Sequence, residues 1–409
     1  MSGRGADHRF LWSAMHETVP VVEEHREEPG GRPQETMVCP TLRIGINALY
    51  LIPGGVGGTE IYLRSLVEAL AKIDSANRYF VFTGREAGSA LAPRAENFRT
   101  LVQPICSANR PARLLWEQTG LALAALREEL DVMLNPGFTA PLACPCPQVT
   151  VFHDLQHKRH PEHFRWFDLP FWSFFLFWSA QVSSLLLADS PATAADLKHF
   201  YRLPDARIRV VALGADERCF GLAARRRPEP FLLTVSTLHP HKNLDRLLRA
   251  FAMFRARQPQ FRLVVTGIHG FAARELVALR DQLGLAEAVD FPGWIPREDL
   301  YDLYARAWAF VYPSTFEGFG LPVAEALAAG IPCACSAVEP VATVAGEAAV
   351  LFAPGDTAAL AIALERVACD RELRIRLAAA GPLQAARYSW RATAEQTLAA
   401  LRQAADAER

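Results

Sequence analysis

The sequence predicts an α/β protein made of two doubly wound domains in tandem, facing each other across a cleft. Three observations carry this reading. With 409 residues the chain is too long for one ordinary core. Short apolar runs alternate with helical patterns almost throughout, which implies parallel sheets covered on both faces. The alternation breaks once, at the Gly-, Arg- and Pro-rich stretch GADERCFGLAARRRPEP (Gly214–Pro230), and then restarts.

The strands expected in the first domain, residues 41–214, are RIGINAL (Arg43–Leu49), YFVFTG (Tyr79–Gly84), FRTLVQ (Phe98–Gln103), VMLNP (Val132–Pro136), QVTVFHD (Gln148–Asp154), LLLADS (Leu185–Ser190) and IRVVALG (Ile208–Gly214). Helices at Thr59–Ala71 and Ala192–Tyr201 fall between them. After a linker at 215–230, the second domain, 231–385, offers the strands FLLTVST (Phe231–Thr237), FRLVVTG (Phe261–Gly267), VDFPGW (Val289–Trp294) and AFVYPS (Ala309–Ser314). Its helices are Asn243–Phe254, Ala272–Leu283 and Arg297–Ala307. Residues 386–409 form a terminal helix, Tyr388–Ala405, with Trp390 as its anchor. Such a pair of open sheets puts its ligand at the C-terminal strand ends.

Residues 1–40 are charged, rich in Pro and Gly and without periodicity, which predicts disorder. They lack the apolar core of a signal peptide, and Met37, directly before the first strand, is a candidate native start. A formal net charge of -1 gives no basic footprint for nucleic acid. Eight scattered cysteines read as reduced thiols of a cytoplasmic protein, with the C-x-C pairs Cys144/Cys146 and Cys333/Cys335 as small buried residues. The uncharged run Leu169–Ala188 is long enough to span a bilayer, but Pro170 and the polar break SAQVSS divide it into a helix and a buried strand. Its Trp- and Phe-rich part, Trp166–Trp178, suits peripheral contact with a membrane.

The chemistry concentrates in VYPSTFEGFGLPVAEALAAGIPC (Val311–Cys333). A strand, a glycine loop and a helix follow one another, with Pro322 in the first turn and Gly330 at the C-cap. Free amides at a helix start bind anions, and glycines let the backbone approach them. Glu317 and Glu325 flank this anion site. Carboxylates repel phosphate, so their partners are hydroxyls, and a diphosphate between two diols is a nucleotide sugar.

This E-x7-E spacing within EGFGLPVAEALAAGIP resembles the retaining glycosyltransferases of family 4, which share the two-domain, Rossmann-like GT-B fold. The resemblance runs from about Arg43 to near the end. It implies that Glu325 holds the ribose and Glu317 the hydroxyls of the transferred sugar. Amides around Gly318, Phe319, Gly320 and Leu321 would bind the diphosphate. In LTVSTLHPHKNLDRLLRAF, Lys242 matches the family's phosphate-binding lysine. Thr237 stands where the family often has arginine, and His239 or His241 would have to replace part of that charge. The loop LIPGGVGGTEIYLRSL, with Gly57 and Gly58, would border the donor phosphates; it is neither a P-loop nor a clean G-x-G-x-x-G. His153, ending the strand VTVFHD, matches a family histidine near the transferred sugar, and Ile295 in FPGWI would border the base.

No D-x-D occurs, so no metal-held diphosphate is expected, and no cofactor. His157, His160 and His163 invite a metal reading, but no H-E-x-x-H exists and no carboxylate spacing completes a site. The expectation is therefore a cytoplasmic, retaining, metal-independent hexosyltransferase, with peripheral contact at the inner face of the cytoplasmic membrane as a further option. The stretch TLHPHKN is similar to mannosyltransferases of bacterial polysaccharide biosynthesis, pointing to GDP-mannose as donor and a glycan or lipid-linked glycan as acceptor. The alternatives are UDP-glucose with the same mechanism, or an inactive nucleotide-sugar-binding scaffold. A phosphorylase would need a pyridoxal-phosphate lysine context, which is missing.

Overall fold

The computed structural model describes residues 41–407 apart from Val56, His269 and Phe271, so the expected N-terminal disorder lies outside the described residues. Seven strands form the first sheet: β1 (Arg43–Ala48), β2 (Arg78–Thr83), β3 (Phe98–Val102), β4 (Val132–Asn135), β5 (Gln148–Phe152), β6 (Leu185–Ala188) and β7 (Ile208–Val210). Six form the second: β8 (Glu229–Val235), β9 (Arg262–Thr266), β10 (Val289–Gly293), β11 (Ala307–Tyr312), β12 (Cys333–Ser336) and β13 (Ala349–Phe352). The strand orders are β3-β2-β1-β4-β5-β6-β7 and β10-β9-β8-β11-β12-β13. Every pairing is parallel. This is the doubly wound pattern twice over. The order reverses between β1 and β4 and between β8 and β11, and a crevice opens at each reversal.

The strands are apolar on both faces because helices cover both. Ile44, Ile46, Val149, Val151 and Phe310 are fully buried. The helix Trp390–Asp406 lies on the helix Gly58–Ile73 and against β4, β5 and β6. Trp390 is 7% exposed and meets Tyr62 edge-on at 6.0 Å. The chain thus passes between the halves twice, at Gly214–Asp216 and at Tyr388–Trp390. The crossings run side by side, with a single bridge at Ala215–Ser389.

The stretch read as a linker is structured. Asp216 caps a helix at Glu217–Leu222 by accepting from the Arg218 amide at 2.9 Å. A 3-10 turn follows, and β8 starts already at Glu229. An aspartate ahead of a helical turn is a capping signal that the glycines and arginines obscured. The strand expected at Ile208–Gly214 stops at Val210. The aromatic run is a helix, Leu169–Val182, followed by β6. Among the described residues no helix is long and apolar enough to cross a membrane.

One contact sets the distance between the halves. Gly318, in the loop after β11, lies against the backbone at the end of β5. A Cβ placed on it would sit 1.8 Å from the His153 carbonyl oxygen, backbone that cannot be pushed aside cheaply. Gly318→Ala is therefore expected to wedge the cleft open, seen as a larger radius of gyration in small-angle scattering; an unchanged radius would refute this contact.

His157, 5% exposed, bonds through Nε2 to the Tyr201 hydroxyl at 2.8 Å. Burial, and then Lys158, push its pKa down to about 4. Between pH 6.5 and about 4 the unfolded chain gains a proton that the folded chain refuses, so stability falls as pH is lowered through that window. His157→Gln keeps a partner for Tyr201 and cannot titrate. The stability difference between wild type and this variant should shift by up to about 3 kcal/mol between pH 7 and pH 4; urea melts showing a constant difference would count against it.

Candidate active site

A cavity of 760 Å³ lies between the two sheets, and the residues expected to act in catalysis and donor binding line it. The first half contributes Gly57, Gly58 and His153; the second contributes Thr237, Lys242, Ile295, Glu317 to Leu321, and Glu325. All sit at the C-terminal ends of strands or at the helix starts that follow them, as the strand order demands.

Lys242 is placed by its neighbour. Asn243 takes a left-handed conformation (φ 55°) and its side chain donates to the Pro313 and Pro354 carbonyls at 3.1 and 2.8 Å. Lys242 Nζ then reaches Glu317 Oε1 at 2.6 Å, with both side chains almost enclosed. The Tyr312 hydroxyl donates to the same oxygen at 2.7 Å. So the cation and the carboxylate meet across two loops, and Tyr312 fixes the carboxylate. Gly320, at φ 103°, turns the loop into the helix Leu321–Ala328, where Pro322 has no amide hydrogen and the Val323 amide donates to the Gly320 carbonyl at 2.9 Å, so an anion would meet the loop amides and that of Leu321.

Glu325 is 3% exposed. It accepts from the Tyr304 hydroxyl at 2.9 Å and forms a short ion pair with Arg297. Arg297 also binds Asp216 at 2.8 Å, and Asp216 receives a short hydrogen bond from Tyr301. Burial alone would raise the Asp216 pKa; the Tyr301 hydroxyl and Arg297 hold it below the usual range instead. This chain of groups ties Glu325 to the crossing segment.

His153 has both ring nitrogens engaged. Nδ1 is 2.7 Å from Asp189 and Nε2 is 3.0 Å from the Pro136 carbonyl. Burial disfavours its charge, but Asp189 and then the carbonyl outweigh that and raise the pKa above its ordinary value. The Asp189 carboxylate and the Pro136 carbonyl favour a ring that donates from both nitrogens, although burial raises the Asp189 pKa as well. The ring can set the field in the cleft but has no free nitrogen with which to take a proton. The rings of Tyr62 and Phe138 enclose it at 4.8 and 5.0 Å.

The sequence reading missed Tyr312, Asp189, Tyr304, Arg297 and Asp216. Tyr312 and Asp189 stand at or just past strand ends, a positional signal; Arg297 and Tyr304 lie on the helix Arg297–Arg306 and Asp216 at the crossing, and only the folded chain brings them to Glu325. Burial, and then Lys242, lower the pKa values of His239 and His241, that of His241 to about 2, which disfavours either ring as a substitute for the charge missing at Thr237. The described lysine and arginines lining the cleft are Arg64, paired with Glu60 at 2.8 Å, together with Lys242 and Arg297.

Comparison with known proteins agrees with this geometry. The model "Glycosyltransferase Family 4" matches residues 56–218, and "Glycosyl transferases group 1" matches 223–384. The chain is 29% identical over 289 residues to the O-antigen chain mannosyltransferase B of Escherichia coli, covering 67% of this chain and 75% of that one. It spans only between 32% and 63% of the length of several other curated relatives. The sucrose-phosphate synthase of Thermosynechococcus elongatus has the same fold, with a TM-score of 0.72 at 21% identity over 88% of this chain and 98% of that one. So does Anabaena HepE in complex with UDP and glucose, with a TM-score of 0.67 at 19% identity over 88% and 99%. The E-x7-E loop, the paired parallel sheets and both family models agree: the chain is a GT-B glycosyltransferase, consistent with family 4.

Proposed function

We propose that the protein transfers a hexose, mannose from GDP-mannose, with retention of configuration and without a metal, to a glycan or lipid-linked glycan acceptor in surface polysaccharide biosynthesis. The observation that carries this is the Lys242–Glu317 pair at the mouth of a helix N-terminus, inside a cleft shared by both halves. An arriving diphosphate competes for Lys242. That frees Glu317, still held by Tyr312, to accept hydrogen bonds from the sugar. Glu325 takes the ribose, and Ile295 borders the base. Gly57 and Gly58 let the first half approach the phosphates, and Thr237 leaves room where a larger cation would stand.

The bond from the anomeric carbon to the phosphate oxygen breaks first. Charge building on the leaving diphosphate is met by Lys242 and by the amides of Gly318, Phe319, Gly320 and Leu321, a preorganised electrostatic clamp. The acceptor hydroxyl bonds to the same carbon from the leaving-group face, and its proton passes to a phosphate oxygen. His153, with both ring nitrogens engaged, takes no proton. The sequence has no D-x-D, so neutralisation falls to these groups. The mannosyltransferase likeness supports mannose; the fold-mate that binds UDP and glucose supports UDP-glucose as the second reading.

Phe138, Phe164, Trp172 and Leu176 wall the cleft beside the helix Leu169–Val182. That helix and its approach expose Trp166, Phe167, Phe171, Phe174 and Trp178. A lipid-linked acceptor could then stay in the inner leaflet of the cytoplasmic membrane while its sugar enters. Phe171 and Phe174 face outward, whereas Phe177 packs against Tyr201. Phe171→Ser with Phe174→Ser should therefore abolish binding to anionic phospholipid vesicles and leave the melting temperature almost unchanged. Retained vesicle binding would exclude this helix as the contact.

The main test is donor hydrolysis without acceptor. GDP-mannose, UDP-glucose, UDP-N-acetylglucosamine and GDP-fucose are each incubated with protein in EDTA, and released nucleotide is followed by mass spectrometry. Release from GDP-mannose should fall at least about a hundredfold in Glu317→Gln and in Lys242→Ala. Binding without turnover, even with a lipid-linked glycan acceptor added, would favour the scaffold reading.

A further inference from the structure

The loop after β5 carries a second constellation outside the cleft. His160, Glu162 and His163 bring one ligand-type atom each within 4.8 Å of one another. The backbone explains why. Pro161–His163 is a 3-10 turn, and the His163 amide donates to the His160 carbonyl at 3.1 Å. Three residues per turn eclipse side chains at i and i+3. The two imidazoles accordingly stack, with centroids 5.2 Å apart and planes 16° from parallel. Glu162 Oε1 lies 3.0 Å from His160 Nδ1. Glu162 thus supplies the carboxylate that the sequence reading judged absent.

A second observation points to a ligand. Nδ1 of His163 is buried and has no hydrogen-bond partner, an exception that asks for an explanation such as an ion.

We infer that His160, Glu162 and His163 form a binding site for a divalent transition-metal ion of the zinc class, separate from the donor cleft. Two imidazoles and one carboxylate are a donor set that zinc uses, with the fourth position left to water. Calcium and magnesium prefer all-oxygen shells. Zinc ligands stand about 2.0–2.2 Å from the ion. The three atoms lie within 4.8 Å of one another, and a bound ion would draw them in by turning the exposed Glu162 and the stacked imidazoles toward it. The ion would sit behind the machinery. His160 meets Phe316, the residue before Glu317, edge-on at 5.3 Å. His163 lies 6.1 Å from His241, the residue before Lys242. None of the three ligands lines the cleft. The metal clamps the loop rather than entering the reaction, so the site stands whether or not the donor assignment does.

The test uses the full chain, stripped with EDTA and titrated with Co²⁺. Visible d–d absorption should saturate at one equivalent and be displaced by Zn²⁺. Glu162→Gln with His163→Gln should weaken this binding at least about tenfold. Zn²⁺ should also raise the melting temperature of the wild type and not of the double variant, which separates lost binding from lost folding. Residues 1–40 hold His8, His16 and His25, and the variant leaves them intact. No saturable Co²⁺ spectrum, or the same spectrum and affinity in the double variant, would overturn the site.

Discussion

The close approach of Gly318 to the His153 carbonyl is the constraint on which the rest depends. It brings the loop after β11 against the end of β5, so that Glu317 and His153 share one cavity. Two separately folded sheets would each leave half a site. Any side chain at position 318 would meet backbone, so the glycine is needed for the seam and not only for the turn. The anion-binding helix start then faces the wall that carries His153.

A second coupling runs from the floor of the cleft to the chain crossings. Arg297 binds Glu325 on one side and Asp216 on the other, and Asp216 caps the first helix after the crossing. Ala215 and Ser389 bridge the two crossings at the same level. A ligand that draws on Glu325 alters the pull on Arg297, and so on the segment about which the halves would turn. Buried ion pairs of this kind stabilise little against a hydrophobic substitute but are costly to leave half-broken. They serve better as a coupling than as a source of stability.

Much of this was legible in the sequence because the site is built from backbone. Glycine loops at strand ends, a proline in a helix's first turn and two carboxylates at a fixed spacing are local features, and the parallel sheet follows from uninterrupted apolar strands. What was not legible depends on distant partners. Asp189 and Tyr312 look like ordinary strand-end residues until His153 and Glu317 are set beside them. The helix at Glu217–Leu222 was hidden because glycine and arginine dominate the stretch while a single aspartate starts it. His160 and His163 were set aside because no H-E-x-x-H joins them and no carboxylate spacing in the sequence alone completes a site. Their convergence needs the tighter turn that Pro161 begins. The short strands β12 and β13, CACS and AVLF, lack the length to announce themselves.

The central claim is a division of labour, with Lys242 on the diphosphate and Glu317 on the sugar. Titration calorimetry tests it most directly, with GDP and GDP-mannose, then UDP and UDP-glucose, added to wild type, Lys242→Met and Glu317→Gln. The account predicts that Lys242→Met weakens the nucleoside diphosphate and its sugar conjugate alike. Glu317→Gln should weaken only the conjugate and leave the diphosphate bound as tightly as before, or more so, because Lys242 is released. Diphosphate binding indifferent to Lys242, or an equal loss of both ligands in Glu317→Gln, would contradict it.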